Sequence, residues 1–500
     1  MIKNAIIAVL LVTVAILAIL LGMKSEPAVA AEQAGGTPPP EPPVPAAPPE
    51  QVEPPPAVIP EPAVPSPLEK LESELDAMLA SPEFSSAAVG FCLVDDQGEV
   101  VAGRNASQAY IPASTLKTLT TATALEVLGP DFRFETRLLG GAPISEAGEL
   151  VGDLIIAGSG DPTVGPEDLA AWVEGLREAG LGKIAGRVVG DATFFDQEIA
   201  GEFSNWGDVG NGYGSPVAGL NFNRNRFKAT LRPGAEIGTA AVLVDISPAV
   251  PGVEWVNRVT TGGSDDVMIY GGPRATQLVF RGTVKAGRDD YEVMGAVPDP
   301  AMFAAQELDR RLRQAGVEIG AAPAARPGVA GGELVEPPTV LYTHRSAPLS
   351  EIVRYINEVS DNHDADCLFQ LLGKQGQSDG ADSLIRNHWG DRGLELVDCR
   401  LVDGSGLGRA NFINAVDLAR LQYLARRGPQ GEVYFRSLNE YYDGALRVKI
   451  GAMSRVRTYT GFVSGESGRE FTFSLMFNHY NRESDVNQWA GRILPALRQL

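Results

Sequence analysis

The sequence predicts a mixed α/β protein of the α+β kind, in which a sheet and its helices come from both ends of the chain and enclose a long nested insertion. Residues 85–105, SSAAVGFCLVDDQGEVVAGRN, read as two strands around the turn Asp-Asp-Gln-Gly. From about 140 to 340, strand-like runs such as LVGDLIIAG, GRVVGDA, AAVLVDI and TQLVFRGTV are separated by Gly and Pro turns. Helical patterns at 166–179 and 300–315 interrupt them. After 347, PLSEIVRYINEV and DADCLFQLLGK read as two helices, and the chain ends on strand-like stretches followed by the helical NQWAGRILPALRQL. A mostly β span of about 200 residues is far too long for a loop, so it is expected to be an inserted domain.

The amino-terminal region is of a different kind. Residues 5–23, AIIAVLLVTVAILAILLGM, form an uncharged apolar run between Lys3 and Lys24. That is about the length needed to span a bilayer and longer than the core of a usual signal peptide. Lys3 and the terminal amine favour an N-terminus that stays in the cytoplasm. The expectation is a signal anchor that leaves the rest of the chain in the periplasm, held to the inner membrane. Cleavage after the small residues Ala28–Ala31, releasing the chain, is the alternative. Residues 37–67 contain 15 prolines and no aromatic residue. Such a tract is an extended polyproline spacer, up to about 90 Å long at 3.1 Å per residue. The expected division is an export segment at 1–24, a linker at 25–67, a main domain in two parts at 68–140 and 341–500, and the insertion at 141–340.

Composition narrows the function. With 500 residues, two or more domains are expected. A formal charge of -21 argues against nucleic acid as a partner, because neutralising phosphates needs an excess of Lys and Arg. The three cysteines, Cys92, Cys367 and Cys399, have no Cys-x-x-Cys spacing, and the four histidines have no metal-ligand spacing. No metal and no cofactor are expected. Scarce histidine also gives a Ser-His-Asp triad little support and makes a lysine base the economical alternative.

Ser114-Thr115-Leu116-Lys117 provides such a base. In the stretch 111–129, IPASTLKTLTTATALEVLG, Ser114, Lys117, Thr118 and Thr121 share one face of a helix otherwise rich in Ala and Leu. Lysine is rarely buried without a partner, so either this face meets solvent or the ammonium is held for a purpose. A hydroxyl and an amine one turn apart allow a lysine of lowered pKa to take the serine proton. Two further groups join it along the chain: Ser360-Asp361-Asn362, which alone reads as a helix start, and Lys449-Ile450-Gly451, which alone reads as an ordinary strand.

In that order, S-x-x-K, S-D-N and K-T-G form the signature set of penicillin-binding proteins and class A β-lactamases; here the first two are intact and the third is altered. GSGDPTVG at 158, GYGSPVAGLNFNRN at 212, HRSAPLSEIVRYINEVSDNHDADCLFQLLG at 344 and LVDGSGLGRANF at 401 resemble the class C low-molecular-mass penicillin-binding proteins. These are D-alanyl-D-alanine carboxypeptidases and endopeptidases, and the likeness runs over roughly 70–500, the insertion included. It implies a transpeptidase-like domain, an antiparallel sheet with helices on both faces. It further implies an acyl-enzyme mechanism on peptidoglycan stem peptides, and β-lactams as covalent inhibitors. Carried over by position, Ser114 is the nucleophile, Lys117 its base, Ser360 the proton relay, and Asn362 a contact to the substrate amide and to Lys117. Lys449 supplies positive charge toward the terminal carboxylate, and the backbone N–H groups of Ser114 and Ala452, beside Gly451, form the oxyanion hole. Asp208 and Tyr213, in WGDVGNGY, resemble a segment that receives the amino group of diaminopimelate, and Arg409 matches an arginine near the substrate.

The chain departs from the pattern at Ile450, where the family has threonine. Isoleucine keeps strand propensity but cannot donate a hydrogen bond. A carboxylate short of one charge-assisted hydrogen bond is held about 1.5 to 3 kcal/mol less tightly. The leading expectation is therefore an exported serine carboxypeptidase or endopeptidase weakened at this position. The alternative is a peptidoglycan-binding scaffold of the same fold that has lost turnover; a β-lactamase-like hydrolase fits the insertion less well.

Overall fold

The computed structural model describes residues 65–195, 201–326, 338–376 and 380–500. The apolar run at 5–23 and the proline-rich tract as far as residue 64 lie outside them. Among the described residues no helix is long and apolar enough to cross a membrane.

A six-stranded antiparallel sheet organises the main domain. Its strands are β1 (Ala88–Val94), β2 (Val100–Arg104), β3 (Asn439–Tyr441), β4 (Leu446–Met453), β5 (Val456–Ser464) and β6 (Glu470–Asn478), in the spatial order β3-β4-β5-β6-β1-β2. The first hairpin of the sequence thus docks beside the last strand, with Phe91 opposite Leu475, so the sheet closes only when both ends of the chain have met.

Period-two alternation gives this sheet two apolar faces. Val89, Phe91 and Leu93 of β1, Leu446 and Val448 of β4, Tyr459 and Val463 of β5, and Phe473, Leu475 and Phe477 of β6 point to the outer face. There they pack against helix α1 (Pro67–Ala80), whose Ser66 and Glu69 form a capping box, and against the carboxy-terminal helix Glu483–Arg498. Cys92, Val94, Phe462 and Met476 point the other way, into a second core. Helices α2 (Lys117–Leu128), α3 (Leu349–Val359), α4 (Asn362–Gln375) and α5 (Ala415–Arg427) fill it. The antiparallel sheet with helices on both faces is therefore present.

Helix α2 is buried on every side from Lys117 to Leu125, unlike an ordinary surface helix with one wet face. Its threonines make this possible by returning their hydroxyls to backbone carbonyls. Thr118 donates to Thr115 O, Thr121 to Lys117 O, Thr123 to Leu119 O and Thr120 to Gly404 O, each at 2.7 or 2.8 Å.

Between the two parts of the main domain the chain leaves along Glu135–Gly140 and returns along Thr339–Arg345, two strands paired antiparallel to one another. They belong to a five-stranded sheet with Leu154–Ala157, Val188–Asp191 and Ala324–Arg326, backed by helices Pro166–Glu178 and Pro300–Gln314. Three three-stranded sheets, built on Arg226–Arg232, on Gln277–Lys285 and on Lys183–Ile184, complete the region among the described residues.

Candidate active site

Ser114 sits at the entry to α2, on a tight 3-10 turn, Ala113–Leu116, rather than inside the α-helix that the pattern of 111–129 predicts. Three residues per turn bring positions i and i+3 to the same side. Lys117, the first residue of α2, accordingly points back to Ser114, with Nζ 3.0 Å from Oγ. Ala113 is held in the left-handed region at φ 48, where a non-glycine residue stays only if its surroundings fix it. Those surroundings are dense. The backbone of Ile111 exchanges two hydrogen bonds with the Asn478 side chain of β6, and Thr458 and Thr115 both donate to Pro112 O. Gly451 of β4 passes so close that a Cβ there would lie 2.9 Å from Ser114 N and 2.2 Å from Thr458 Oγ1.

Lys117 is fully buried, with 0% exposure. Besides Ser114 Oγ, its Nζ donates to Asn362 Oδ1 and to Ser405 O, both at 2.7 Å. Burial pushes its pKa down from the usual lysine range to about 8, against the opposing pull of the Asp366, Asp403 and Asp361 carboxylates. A neutral amine has two N–H groups and one lone pair. The two carbonyl oxygens take the N–H groups, and the lone pair is left for the Ser114 hydroxyl. Burial also raises the two nearest acids, Asp366 to about 8, with the negative charge of Asp403 adding to the effect, and Asp403 in the same direction.

The second lysine approaches from the sheet. Lys449 Nζ donates to Ser360 Oγ at 2.9 Å and to Ile450 O at 3.3 Å, and the residue is 2% exposed. Burial first, and then the charge of Lys117, push it well below its usual pKa, since two ammonium groups in one dry cleft repel. The Lys449–Ser360 contact also settles the strand register: Thr460 faces the inner side one strand further in, donating to Phe473 O. Ser360 itself caps α3 in the left-handed region, at φ 62 and ψ 37.

Ser114, Lys117, Ser360, Asn362, Lys449 and Gly451 are thus brought together. Tyr213 reaches them through its backbone, whose carbonyl accepts from Asn362 Nδ2 at 2.8 Å, while its hydroxyl donates to Asp208 Oδ1 at 3.1 Å. Arg409 lies at the far end of β4, donating to Ser454 O at 3.0 Å. Ala452 continues β4 past Gly451, on a stretch whose outer edge is open because β3 pairs only as far as Val448. The side chain of Ile450 is not with the others. By alternation it lies on the outer face, opposite Tyr459, half-buried against the core that contains Leu446 and Val448. Sequence reasoning missed the carbonyl of Ser405, the acids Asp366 and Asp403, and the tether made by Thr458. Of these, Ser405 lies in the Gly-Ser-Gly turn of LVDGSGLGRANF, a signal for the turn and not for its carbonyl.

The family model for D-Ala-D-Ala carboxypeptidase 3 (S13) matches residues 71–493. The chain belongs to this S13 family. Among relatives of the S13 chain, a D-alanyl-D-alanine carboxypeptidase of Actinomadura sp. (strain R39) is 28% identical over 449 residues, covering 83% of this chain and 82% of that protein. The D-alanyl-D-alanine carboxypeptidase DacB of Haemophilus influenzae is 26% identical over 422 residues, covering 79% and 86%. The S13 fold is also that of the solved penicillin binding protein 4 (dacB) of Haemophilus influenzae, with a TM-score of 0.74 at 21% identity over 87% of this chain and 99% of that one. That protein has also been solved in complex with a β-lactam.

Proposed function

We propose that the protein is a serine-type D-alanyl-D-alanine carboxypeptidase that works through an acyl-enzyme on Ser114 and takes peptidoglycan stem peptides as substrate. The observation that carries the reading is the cage around Lys117, which leaves one lone pair on a desolvated amine 3.0 Å from a serine hydroxyl. Ser114 Oγ attacks the carbonyl carbon of the D-Ala-D-Ala amide while its proton passes to Lys117 Nζ. The C–N bond then breaks, and the leaving amine of D-Ala takes a proton relayed through Ser360 from the lysine pair. Water afterwards hydrolyses the ester, releasing the shortened peptide and restoring Ser114. A substrate strand fits the open edge of β4, pairing by backbone hydrogen bonds as an added strand.

Membership in a carboxypeptidase family and intact contacts among Ser114, Lys117, Ser360 and Lys449 support an active enzyme, and nothing at the site supports the alternative of a scaffold without turnover. Asp208, with Tyr213 beside it and near the cleft, is placed to attract a cationic side chain of the stem peptide. A β-lactam presents the same kind of carbonyl in a strained ring and is expected to acylate Ser114. For location, we propose a periplasmic enzyme anchored to the inner membrane by residues 5–23, on the strength of that apolar run and its flanking lysines. Deleting residues 1–24 is expected to move the protein from the membrane fraction to the soluble one; a protein already soluble before deletion points to cleavage instead.

Two further experiments test the chemistry. Wild-type protein is expected to take a fluorescent penicillin covalently and Ser114→Ala to take none; a wild type that stays unlabelled overturns the acyl-enzyme reading. For Ile450, a threonine keeps one branch on the outer face and can turn its hydroxyl to the open edge of β4. Ile450→Thr is therefore expected to raise release of terminal D-Ala about tenfold, the worth of one hydrogen bond to a carboxylate. An unchanged rate shows that the terminal carboxylate is held without this position.

A further inference from the structure

The central residue of Ser360-Asp361-Asn362 does not face the cleft. Asp361 is 8% exposed and points into the inserted region, where both of its oxygens are occupied. Arg226 donates to them from Nη1 at 2.7 Å and Nη2 at 3.1 Å, and Oδ1 also caps α4 by accepting from Asp364 N. One turn on, Arg224 grips Asp364 in the same two-pronged way, at 2.9 and 3.1 Å, with its guanidinium 4.2 Å above the ring of Tyr355. Arg226 is itself oriented by Nε donating to Ser215 Oγ at 3.1 Å. The loop that delivers these arginines has three successive left-handed residues, Asn223, Arg224 and Asn225, at φ 52, 52 and 53. Such a run persists only where the surroundings enforce it. Asn225 supplies part of that, reaching Pro216 O, Asn221 Oδ1 and the ring of His363. Asp361, His363 and Asp364 lie close enough together to hold a metal ion, but the two guanidinium groups already occupy their carboxylates.

We propose that Arg226, supported by Arg224, is a positioning residue of the acylation reaction, through which the inserted region holds the turn that presents Ser360 to Lys449 and Asn362 to Lys117. This rests on the carboxypeptidase reading given above. Ser360 adopts a conformation that a free chain rarely visits, and the residues that follow it are fixed by the arginine fork and by Tyr213 O.

The arrangement has an electrostatic side as well. The charged groups that act on Lys117 are the carboxylates of Asp366 on α4 and Asp403 on the loop before Gly404, that of Asp361 from behind the cleft at the start of α4, and the ammonium of Lys449 from β4. Ser114 Oγ, Asn362 Oδ1 and Ser405 O complete its shell. Arg226 and Arg224 hold Asp361 ionised, well below the usual carboxylate range, in spite of its burial, and their positive charge offsets its pull on Lys117. Without Arg226 the carboxylate, kept ionised by Arg224 at 3.9 Å, acts on Lys117 less opposed, the lysine keeps its proton to higher pH, and the base form appears later.

The test measures the rate of penicillin acylation from pH 6 to pH 10, together with thermal melting, in the full chain carrying Arg226→Lys, Arg226→Met or Arg226→Met with Asp361→Asn. Lysine keeps the charge but loses the fork. Arg226→Lys is expected to fold normally and to acylate a few-fold more slowly, with the acidic limb unmoved. Arg226→Met is expected to be at least about tenfold slower at pH 7, with the limb shifted upward by about half a unit or more. In the double variant asparagine still caps α4, the limb is expected to return to its wild-type position, and the rate to recover only in part. A merely structural role lowers melting temperature without moving the limb and does not give this return. Wild-type rate and limb in folded Arg226→Lys and Arg226→Met overturn the proposal. Should Arg226→Met not fold, a wild-type rate in Arg226→Lys alone overturns it. A wild type that takes no penicillin falls on the carboxypeptidase reading instead.

Discussion

A lysine buried without contact to water is the constraint on which the rest of the structure turns. Removing an ammonium from water costs several kcal/mol, a sum comparable to the whole stability of a domain. The fold meets that cost in two ways. It supplies two carbonyl acceptors at 2.7 Å, one from a side chain on α4 and one from the backbone of the 404–406 turn. It also surrounds the amine with three acids: burial makes two of them, Asp366 and Asp403, hard to ionise, while Asp361 stays ionised in its arginine fork. The residual effect is a lysine whose pKa is pushed down to about 8, toward the range a general base needs.

Each partner in that cage comes from a different part of the chain. Ser114 and Lys117 follow the first hairpin, Asn362 opens α4, the second helix after the inserted region, Ser405 belongs to a turn, and Lys449 sits on β4. They meet because β1 docks against β6, which fixes the first hairpin and α2 relative to β4. The inserted region is part of the same construction. It contributes the Tyr213 carbonyl to Asn362 and two arginine forks to the helix that Asn362 begins, so its loss would remove supports of the site as well as surface for substrate.

The residues that converge at the site, and to which we assign the chemistry, were legible in the sequence because chemistry restricts residue type. Ser114, Lys117, Ser360, Asn362 and Lys449 each need one functional group, and their motifs survive in order. The α+β class and the helices near 166–178 and 300–314 were legible too, from periodicity alone. What escaped were contacts that carry no residue signature. A backbone carbonyl such as that of Ser405 can belong to any residue, and Asp366 or Asp403 looks in sequence like an ordinary surface acid. How helix α2 buries its polar stripe was not legible for a related reason. Periodicity left this face either meeting solvent or holding the ammonium for a purpose; the second is what the structure has, and threonines that return their hydroxyls to the helix backbone allow burial on all sides. For Ile450 the missing hydroxyl was evident from the motif, but only strand register shows that the side chain that replaced it packs on the outer face of the sheet.

If the cage around Lys117 is what makes Ser114 a nucleophile, the protonation of that one amine is the quantity to measure. Selective isotope labelling of lysine, with Lys117→Arg to assign the signal, allows its titration to be followed by NMR in the folded protein. The account predicts a midpoint near pH 8, as burial dictates, with Lys117 half neutral there. A midpoint at or above the ordinary lysine value of about 10.4 would contradict it, because the amine would then be charged at neutral pH and another group would have to take the Ser114 proton.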